Sequence, residues 1–237
     1  MDHLPEALRK VWKDCCKGRV LLCTTALDSG TRSLLSGLAC SPFGRVPKLN
    51  PDRTVSSEGR LVHDLRELNV TGHKHDHPPA LQSRHHSVAR LILWWKARHP
   101  GVDILLAKRD IADAFKWLWA HDQLAGLFGT EFPGVEFDPL CSVIAIYLCF
   151  TFGWLGGPGE YMIFGYAYKL VHAAHCPAEP AWNDDVPFDC RLLMDDGILV
   201  EPDLGRRRWV SGRTAEGAMR SVFGPDAVNE EKKRVEG

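Results

Sequence analysis

Several features that announce common functions are missing from this 237-residue sequence. None of its eight cysteines, Cys15, Cys16 and Cys23 among them, forms a CxxC pair, so the paired-cysteine zinc signature is excluded. Unpaired thiols fit the reducing interior of a cell. No apolar run reaches the ~18 residues of a membrane span, the longest lying around 143–150 and 161–171. Met1 to Lys17 is charged throughout, unlike a secretory signal. An intracellular protein, in cytoplasm or nucleus and without a membrane partner, is therefore expected. Neither charge sign dominates: 29 Lys and Arg face 30 Asp and Glu, with a pI near 6.8. Bulk charge thus announces no nucleic acid, and any phosphate-binding surface must be local. The GK[ST] of a P-loop and the GxGxxG of a dinucleotide fold are both absent, as are repeats and low-complexity segments. What remains, 45% hydrophobic and 25% charged, is an ordinary globular composition, long enough for one large domain or two interleaved ones.

Apolar residues at 4, 8, 11 and 12 have helical spacing, 19–25 reads as a strand or buried turn, and 31–39 as a short helix. Residues 41–48 and 60–69 read as two extended runs around a turn-rich segment, a hairpin with Lys48 and Arg60 near its inner ends. Such cations can hold a polyphosphate, Lys as a point charge and Arg as a fork, or simply cover a solvated surface. His73, His75 and His77 alternate, but two prolines follow and no further ligand stands at a fixed spacing, so a loop is expected. His85 to His99 predicts a helix with Val88, Leu91, Ile92 and Trp95 on one face. Val102 to Ala107 reads as a buried strand that changes to a helix or turn over 108–115, which leaves Asp110 at a strand end. A further strand-like run, 139–150, leads through the four-glycine loop Thr151–Gly159 into a helix over 160–175. Residues 176–189 read as a connector, and Arg206–Trp209 as a solvated basic edge or a phosphate contact. Helical spacing returns over 214–223, and the charged segment 229–237 offers no closing apolar element.

The stretch Leu192–Val200 draws the pattern together. An apolar run reaches Asp195 and Asp196, turns at Gly197 and leaves as a second apolar run, which predicts a tight hairpin with Asp-Gly supplying a positive φ. Two carboxylates about 4 Å apart repel by roughly 4 kcal/mol at an effective dielectric near 20. Water around an ordinary turn relieves that repulsion, and so does a hard divalent cation. If the Asp110 strand neighbours this hairpin, the three carboxylates could share two divalent ions of the kind that activate a hydroxyl and stabilise a leaving phosphate oxygen.

The order of these segments resembles a reverse transcriptase (RNA-directed DNA polymerase) of the retrotransposon type, over roughly residues 41–237. Arg60-x-x-x-Asp64-x-Arg66-x-Leu68-Asn69 is similar to the family's fingers motif, and Val46-Pro47-Lys48 to the strand before it. Asp110-x-x-x-Ala114-Phe115 resembles motif A, Phe152-Gly153-Trp154-x-Gly156-x-Pro158 motif B, and Met194-Asp195-Asp196 motif C. The resemblance implies an α+β fingers–palm fold, the palm an antiparallel, ferredoxin-like sheet backed by helices. Fingers are expected over 1–80 and 120–150, and palm over 81–119 and 151–237. It also implies two Mg²⁺ or Mn²⁺ ions held by Asp110, Asp195, Asp196 and the Ile111 backbone. Lys48 and Arg60 would neutralise a triphosphate that also meets backbone amides near Ile111, Asp113 and Ala114. Phe115 would lie under the sugar and exclude a 2′-hydroxyl, unless it is plain core packing. Phe152 and Gly153 would floor the incoming nucleotide and templating base, and Lys232 would be a general acid. The implied partners are deoxynucleoside triphosphates and an RNA or DNA template with its primer.

The sequence departs from the family in several places. Leu193 stands where motif C usually has an aromatic, the fingers hairpin has a longer tip, and 206–208 has no counterpart. Thumb, connection and ribonuclease H regions are not recognisable in these residues. An alternative expectation is thus a truncated copy that binds nucleotide or nucleic acid without turning over. Another palm-type two-metal enzyme, such as a nucleotide cyclase, would not need the Arg60–Asn69 segment or the Phe152–Pro158 loop.

Overall fold

The computed structural model describes residues 3–24, 37–50, 52–132, 142–175, 184–230 and 234–236. Among them the elements are, in chain order, α1 (Leu4–Cys16), β1 (Val20–Thr24), β2 (Phe43–Leu49), β3 (Val55–His63), α2 (Arg66–Thr71), α3 (His85–Arg98) and β4 (Ile104–Asp110). They continue with α4 (Asp122–Ala125), β5 (Gly129–Phe132), β6 (Val143–Tyr147), α5 (Gly157–Ala174), β7 (Cys190–Leu193), β8 (Asp196–Pro202), α6 (Arg207–Phe223) and β9 (Arg234–Glu236). The protein is α+β, with six α-helices and three sheets whose paired strands all run antiparallel among the described residues. The helix expected at 31–39 and the start of the strand expected at 139–150 fall largely outside them. None of the described helices is long and apolar enough to cross a membrane, and the six described cysteines are free thiols.

The chain divides into two compact units, Met1–Asp76 with Leu118–Gly157, and His77–Trp117 with Pro158–Gly237. In the first, β1, β6 and β5 form one sheet in that order, and β2 with β3 form a separate hairpin. Aromatic packing supplies the core: Phe43 stacks on His63 at 4.3 Å, and Tyr147 meets that histidine edge-on at 5.0 Å. The hairpin is tied down through Glu6 of α1. Its carboxylate accepts from the Gly59 amide at 2.8 Å, from Arg45 Nε at 2.8 Å and from Lys10 Nζ at 2.5 Å. Those donors hold the Glu6 carboxyl well below the usual range, because each stabilises the charged form. The second extended run stops at His63, short of the expected Asn69, and helix α2 takes over. Asp64 Oδ1 accepts from the Arg66 backbone and guanidinium, and Leu65 is buried to 1% exposure, so side-chain bonding to the backbone outcompetes the strand there. The glycine-rich loop, expected with the second unit, lies in the first as far as Gly157. Asn69 brackets it, donating to the Gly153 carbonyl at 2.7 Å and accepting from the Leu155 amide at 2.8 Å.

The second unit is built on the sheet β7-β8-β4-β9. The connection β4-α5-β7-β8-α6-β9 is the β-α-β-β-α-β, split-βαβ pattern. β4 runs through Asp110 without changing to a helix or turn at Lys108, because each of its residues has a partner on β8. The charged segment after Asn229, expected to close nothing, supplies β9, whose backbone pairs with Leu106–Lys108. Opposed residues share a face. Register therefore places Arg109, Gly197 and Leu192 on one face of the sheet and Asp110, Asp196 and Leu193 on the other. The helices α5 and α6 cover the first face, where Gly165 packs on Leu192 and Glu216 pairs with Arg109 at 3.0 Å.

Arg207 lies in the core. It is 1% exposed, opens α6 seven residues before the expected start, and lies between Trp95 at 4.7 Å and Phe188 at 5.0 Å. It donates to Asp184, to Glu201 at 2.6 Å and to the Val186 carbonyl at 2.9 Å. The solvated basic edge is thus limited to Arg206 and Arg208; the residue between them pairs with two buried acids.

Candidate active site

The site begins where β4 ends. Asp110 and Asp196 are direct cross-strand partners, the last residue of β4 opposite the first of β8. At the ~4.5–5.5 Å Cβ spacing of such pairs, like charges destabilise the sheet unless something offsets them. Two donors do. Lys108, two residues before Asp110 on the same face, places Nζ 2.6 Å from Asp196 Oδ2. Asn229 Nδ2 donates to Asp110 Oδ2 at 2.8 Å, while its backbone amide bonds the Asp110 carbonyl at 3.0 Å. Asp110 is 4% exposed and Asp196 is half-buried.

Asp195 occupies the tip of the β7–β8 hairpin, and its carbonyl accepts from the Ile111 amide at 3.0 Å. That bond fixes the tip against the end of β4. It also corrects the expectation that the Ile111 N–H meets a triphosphate, since that donor is already used. The turn differs from the Asp-Gly expectation as well. Positive φ falls on Met194, at 55°, the first of the two tip residues. A non-glycine residue there stores of order 1 kcal/mol of strain, of the kind that clusters at functional sites. Gly197 lies inside β8 and is needed for another reason: a Cβ would stand 2.9 Å from both Cys190 Sγ and Tyr168 Oη.

Among the described residues, no three His, Cys, Asp or Glu side chains are gathered closely enough to ligate a metal directly. Asp110 and Asp196 are turned toward Asn229 and Lys108 instead of converging on one point. The donor set nevertheless suits a hard cation, since it is all oxygen, and Asp196 Oδ1 is buried with no hydrogen-bond partner.

After Asp110 the chain continues through Asp113, which is exposed and has φ of 57°, into a 3₁₀ turn over Ala114–Trp117. Phe115 is buried, its ring 4.9 Å from that of Tyr161. Tyr161 is 0% exposed, and its hydroxyl has no partner. Burial, and then the charges of Asp195, Asp110 and Asp196, push its phenol well above the usual range, so it stays protonated.

The remaining expected residues belong to the first unit or fall outside the described ones. Arg60 lies on β3 opposite Val46, and Lys48 Nζ is 3.7 Å from Glu58. Phe152 is 45% exposed. Gly153, at φ of 106°, passes so close to the His63 carbonyl that a Cβ would meet it at 2.8 Å. Lys232 is outside the described residues. His77 approaches Glu160 at 3.5 Å; His75 lies within a short 3₁₀ turn that His73 and His77 flank.

Three residues at the site escaped the sequence reading. Lys108 carried a signal, because strand periodicity alone places it on the face of Asp110. Tyr161 carried a weaker one, as the first of the row Tyr161, Gly165, Tyr168 and His172 on one side of α5. Asn229 had none, since its approach depends on a pairing between Ile111 and Val228 far apart in sequence. No protein-family model matches this sequence, and no curated protein is similar to it.

Proposed function

We propose that this protein is a template-directed nucleotidyltransferase of the reverse-transcriptase type, its second unit serving as a palm and its first as fingers. The observation that carries the reading is the cross-strand pair Asp110–Asp196, with Asp195 bonded back to Ile111, in a β-α-β-β-α-β sheet. In the reaction a primer 3′-hydroxyl attacks the α-phosphate of a deoxynucleoside triphosphate. A phosphodiester forms, the bond to the β-phosphate breaks, pyrophosphate leaves, and the hydroxyl proton passes to solvent. Divalent cations, when bound, acidify the hydroxyl and neutralise charge on the phosphates.

Asp110, Asp195 and Asp196 would supply the oxygen ligands, with the Ile111 carbonyl as a backbone ligand. The rigidity of the paired strands keeps two of those carboxylates at a fixed separation. The left-handed turn at Asp113 presents amides of the Asp113–Ala114 segment to phosphate oxygens. Phe115, packed on Tyr161, forms an unyielding wall beside the sugar. Lys48 and Arg60 are assigned to the triphosphate, Phe152 and Gly153 to the base pair, and Lys232 to the leaving pyrophosphate. Grip on the template–primer duplex is through its backbone and therefore weakens steeply with salt.

Primer extension on an RNA template with Mg²⁺ or Mn²⁺ tests the reading. Asp110→Asn and Asp195→Asn are each expected to lower extension by at least about a hundredfold, the scale of losing transition-state charge stabilisation. Extension equal to wild type in both variants refutes the assignment. Cation-dependent nucleotide binding without extension favours a nucleotide-binding protein that does not turn over.

A further inference from the structure

Five arginines stand on α6 or at its N-terminal end, and three of them are matched by acids. Arg207 pairs with Asp184 and Glu201, Arg208 with Asp203 at 3.5 Å, and Arg220 with Glu230 at 3.0 Å. No acid pairs with Arg206 or Arg213 among the described residues. Those two are also the ones that line a groove of about 450 Å³ between α6 and the last turn of α5. Arg206, Trp209, Arg213 and Gly217 follow at steps of three, four and four residues, which sets them on one face of the helix. Val171 and His175 form the facing wall, and no carboxylate lines the groove. The hydroxyls of Thr214 and Ser221 donate to carbonyls of their own helix, so the two guanidinium groups carry the groove's free charge. The groove lies wholly in the second unit, on the helix-covered side of its sheet and not on the face of Asp110 and Asp196.

Trp209 decides which anion fits. Its indole is 63% exposed, and the Arg208 guanidinium stands 5.2 Å from the ring centroid. An aromatic face is negative, so it offers the carboxylates of an acidic peptide nothing. A nucleic-acid base stacks on such a face, and an arginine beside the ring strengthens the stack. Arginine forks match phosphate oxygens two at a time. Arg206 and Arg213, seven residues apart, are separated by roughly 10 Å along the helix axis, so they meet different phosphates. We propose that this groove binds single-stranded nucleic acid, with Arg206 and Arg213 each holding a backbone phosphate and Trp209 stacking on a base. It is a second nucleic-acid contact, beyond the polymerase reading, and needs no cation. Gly217 supplies a clean probe of it. A Cβ there would meet nothing within 4 Å, so a longer side chain enters the groove without a clash and with better helix propensity than glycine.

The test titrates the full chain, in EDTA, into fluorescein-labelled RNA and DNA strands of one unstructured sequence, about twelve nucleotides long. Fluorescence anisotropy is followed at several salt concentrations. Saturable binding is expected with both strands. The double variant Arg206→Ala, Arg213→Ala should reduce the slope of log affinity against log salt by about 1.4, two contacts at ~0.7 each. Trp209→Ala should weaken binding about tenfold with the slope unchanged. Gly217→Glu should cost at least about tenfold more affinity than Gly217→Gln, since only the first sets a like charge against the phosphates, and neither should lower the melting temperature. No saturable binding by wild type overturns the proposal, and so do wild-type affinity and slope in the double arginine variant and in Gly217→Glu. Displacement of the strand by polyglutamate, with Trp209→Ala binding like wild type, assigns the groove to an acidic protein segment and also overturns it. Primer extension by Asp110→Asn bears on the polymerase reading alone, so each can fail while the other stands.

Discussion

Lys108 holds one of the three carboxylates before any ligand arrives. Its ammonium, 2.6 Å from Asp196 Oδ2, neutralises the like-charge pair that β4 and β8 force together. In the proposed reading, Lys108 competes with a divalent cation for that charge. Lys108→Met is expected to tighten Mn²⁺ binding several-fold at low ionic strength, with the gain shrinking as salt screens the half-exposed lysine. Titration of free Mn²⁺ by electron paramagnetic resonance checks it, and unchanged or weaker affinity would remove Lys108 from the proposed site. At this scale the sequence showed Asp110, Asp195 and Asp196 clearly, because they interrupt apolar strands. It could not show Asn229, whose amide reaches Asp110 only after residues 119 positions apart are brought together.

At the scale of elements, the β2–β3 hairpin shows how one buried acid governs the placement of cationic side chains. Arg45 turns inward to Glu6, and that leaves Arg60 and Lys48 to the hairpin's other contacts. Glu6→Gln keeps one acceptor oxygen but loses the charge that Arg45 and Lys10 share. Amide hydrogen exchange across Arg45–Gly59 should accelerate by roughly ten- to a hundredfold in that variant, as the charge-assisted bonds to Glu6 are lost. Exchange matching wild type would show that β2 and β3 hold without α1. The elements themselves were legible where periodicity was long. α1, α3 with its buried Trp95, and α5 all follow helical spacing. The misreadings fall where local patterns compete with tertiary pairing. β4 persists through polar Lys108 and Arg109 because β8 pairs with it, and α6 starts early because Arg207 finds two buried acids. β9 was invisible for the same reason, being charged and strand-forming only against β4.

For the molecule as a whole, acid stability depends on the polar network beneath the second sheet. His172 is fully buried, and its Nε2–H donates to the Ser211 carbonyl at 3.1 Å. Burial pulls its pKa down to about 4 from the ordinary 6.5. Above pH 6.5 it is neutral in both folded and unfolded chains and gives no slope. As pH falls from 6.5 toward 4, the unfolded chain takes up a proton that the folded chain refuses, and stability falls by up to about 3 kcal/mol. Glu201 acts with opposite sign. Burial pushes it up to about 7, so stability is lost as pH rises from 4.5 toward 7. The two slopes separate by difference: in denaturant titrations across pH 4–7.5, wild type minus His172→Phe should decline toward acid with the His172 slope alone. A pH-independent difference would mean that His172 titrates in the folded chain as it does in the unfolded one. The sequence reading placed its cuts after 80, 119 and 150, whereas the units divide after 76, 117 and 157. The last boundary moves because Asn69 bonds the glycine-rich loop.

The pairing of β4 with β8 and β9 also sets the order in which the protein can be completed as it is made. Asp110 leaves the ribosome 86 residues before its partner Asp196, and Leu106 leaves it 130 residues before Glu236. At about 5–20 residues per second, the strand bearing the first carboxylate waits roughly ten seconds with both edges unpaired. During that interval Lys108 and Arg109, which with Asp110 charge the end of an otherwise apolar strand, are what discourage β4 from pairing with another nascent chain. The side chains that later balance Asp196 and Glu216 thus serve first as guards against aggregation.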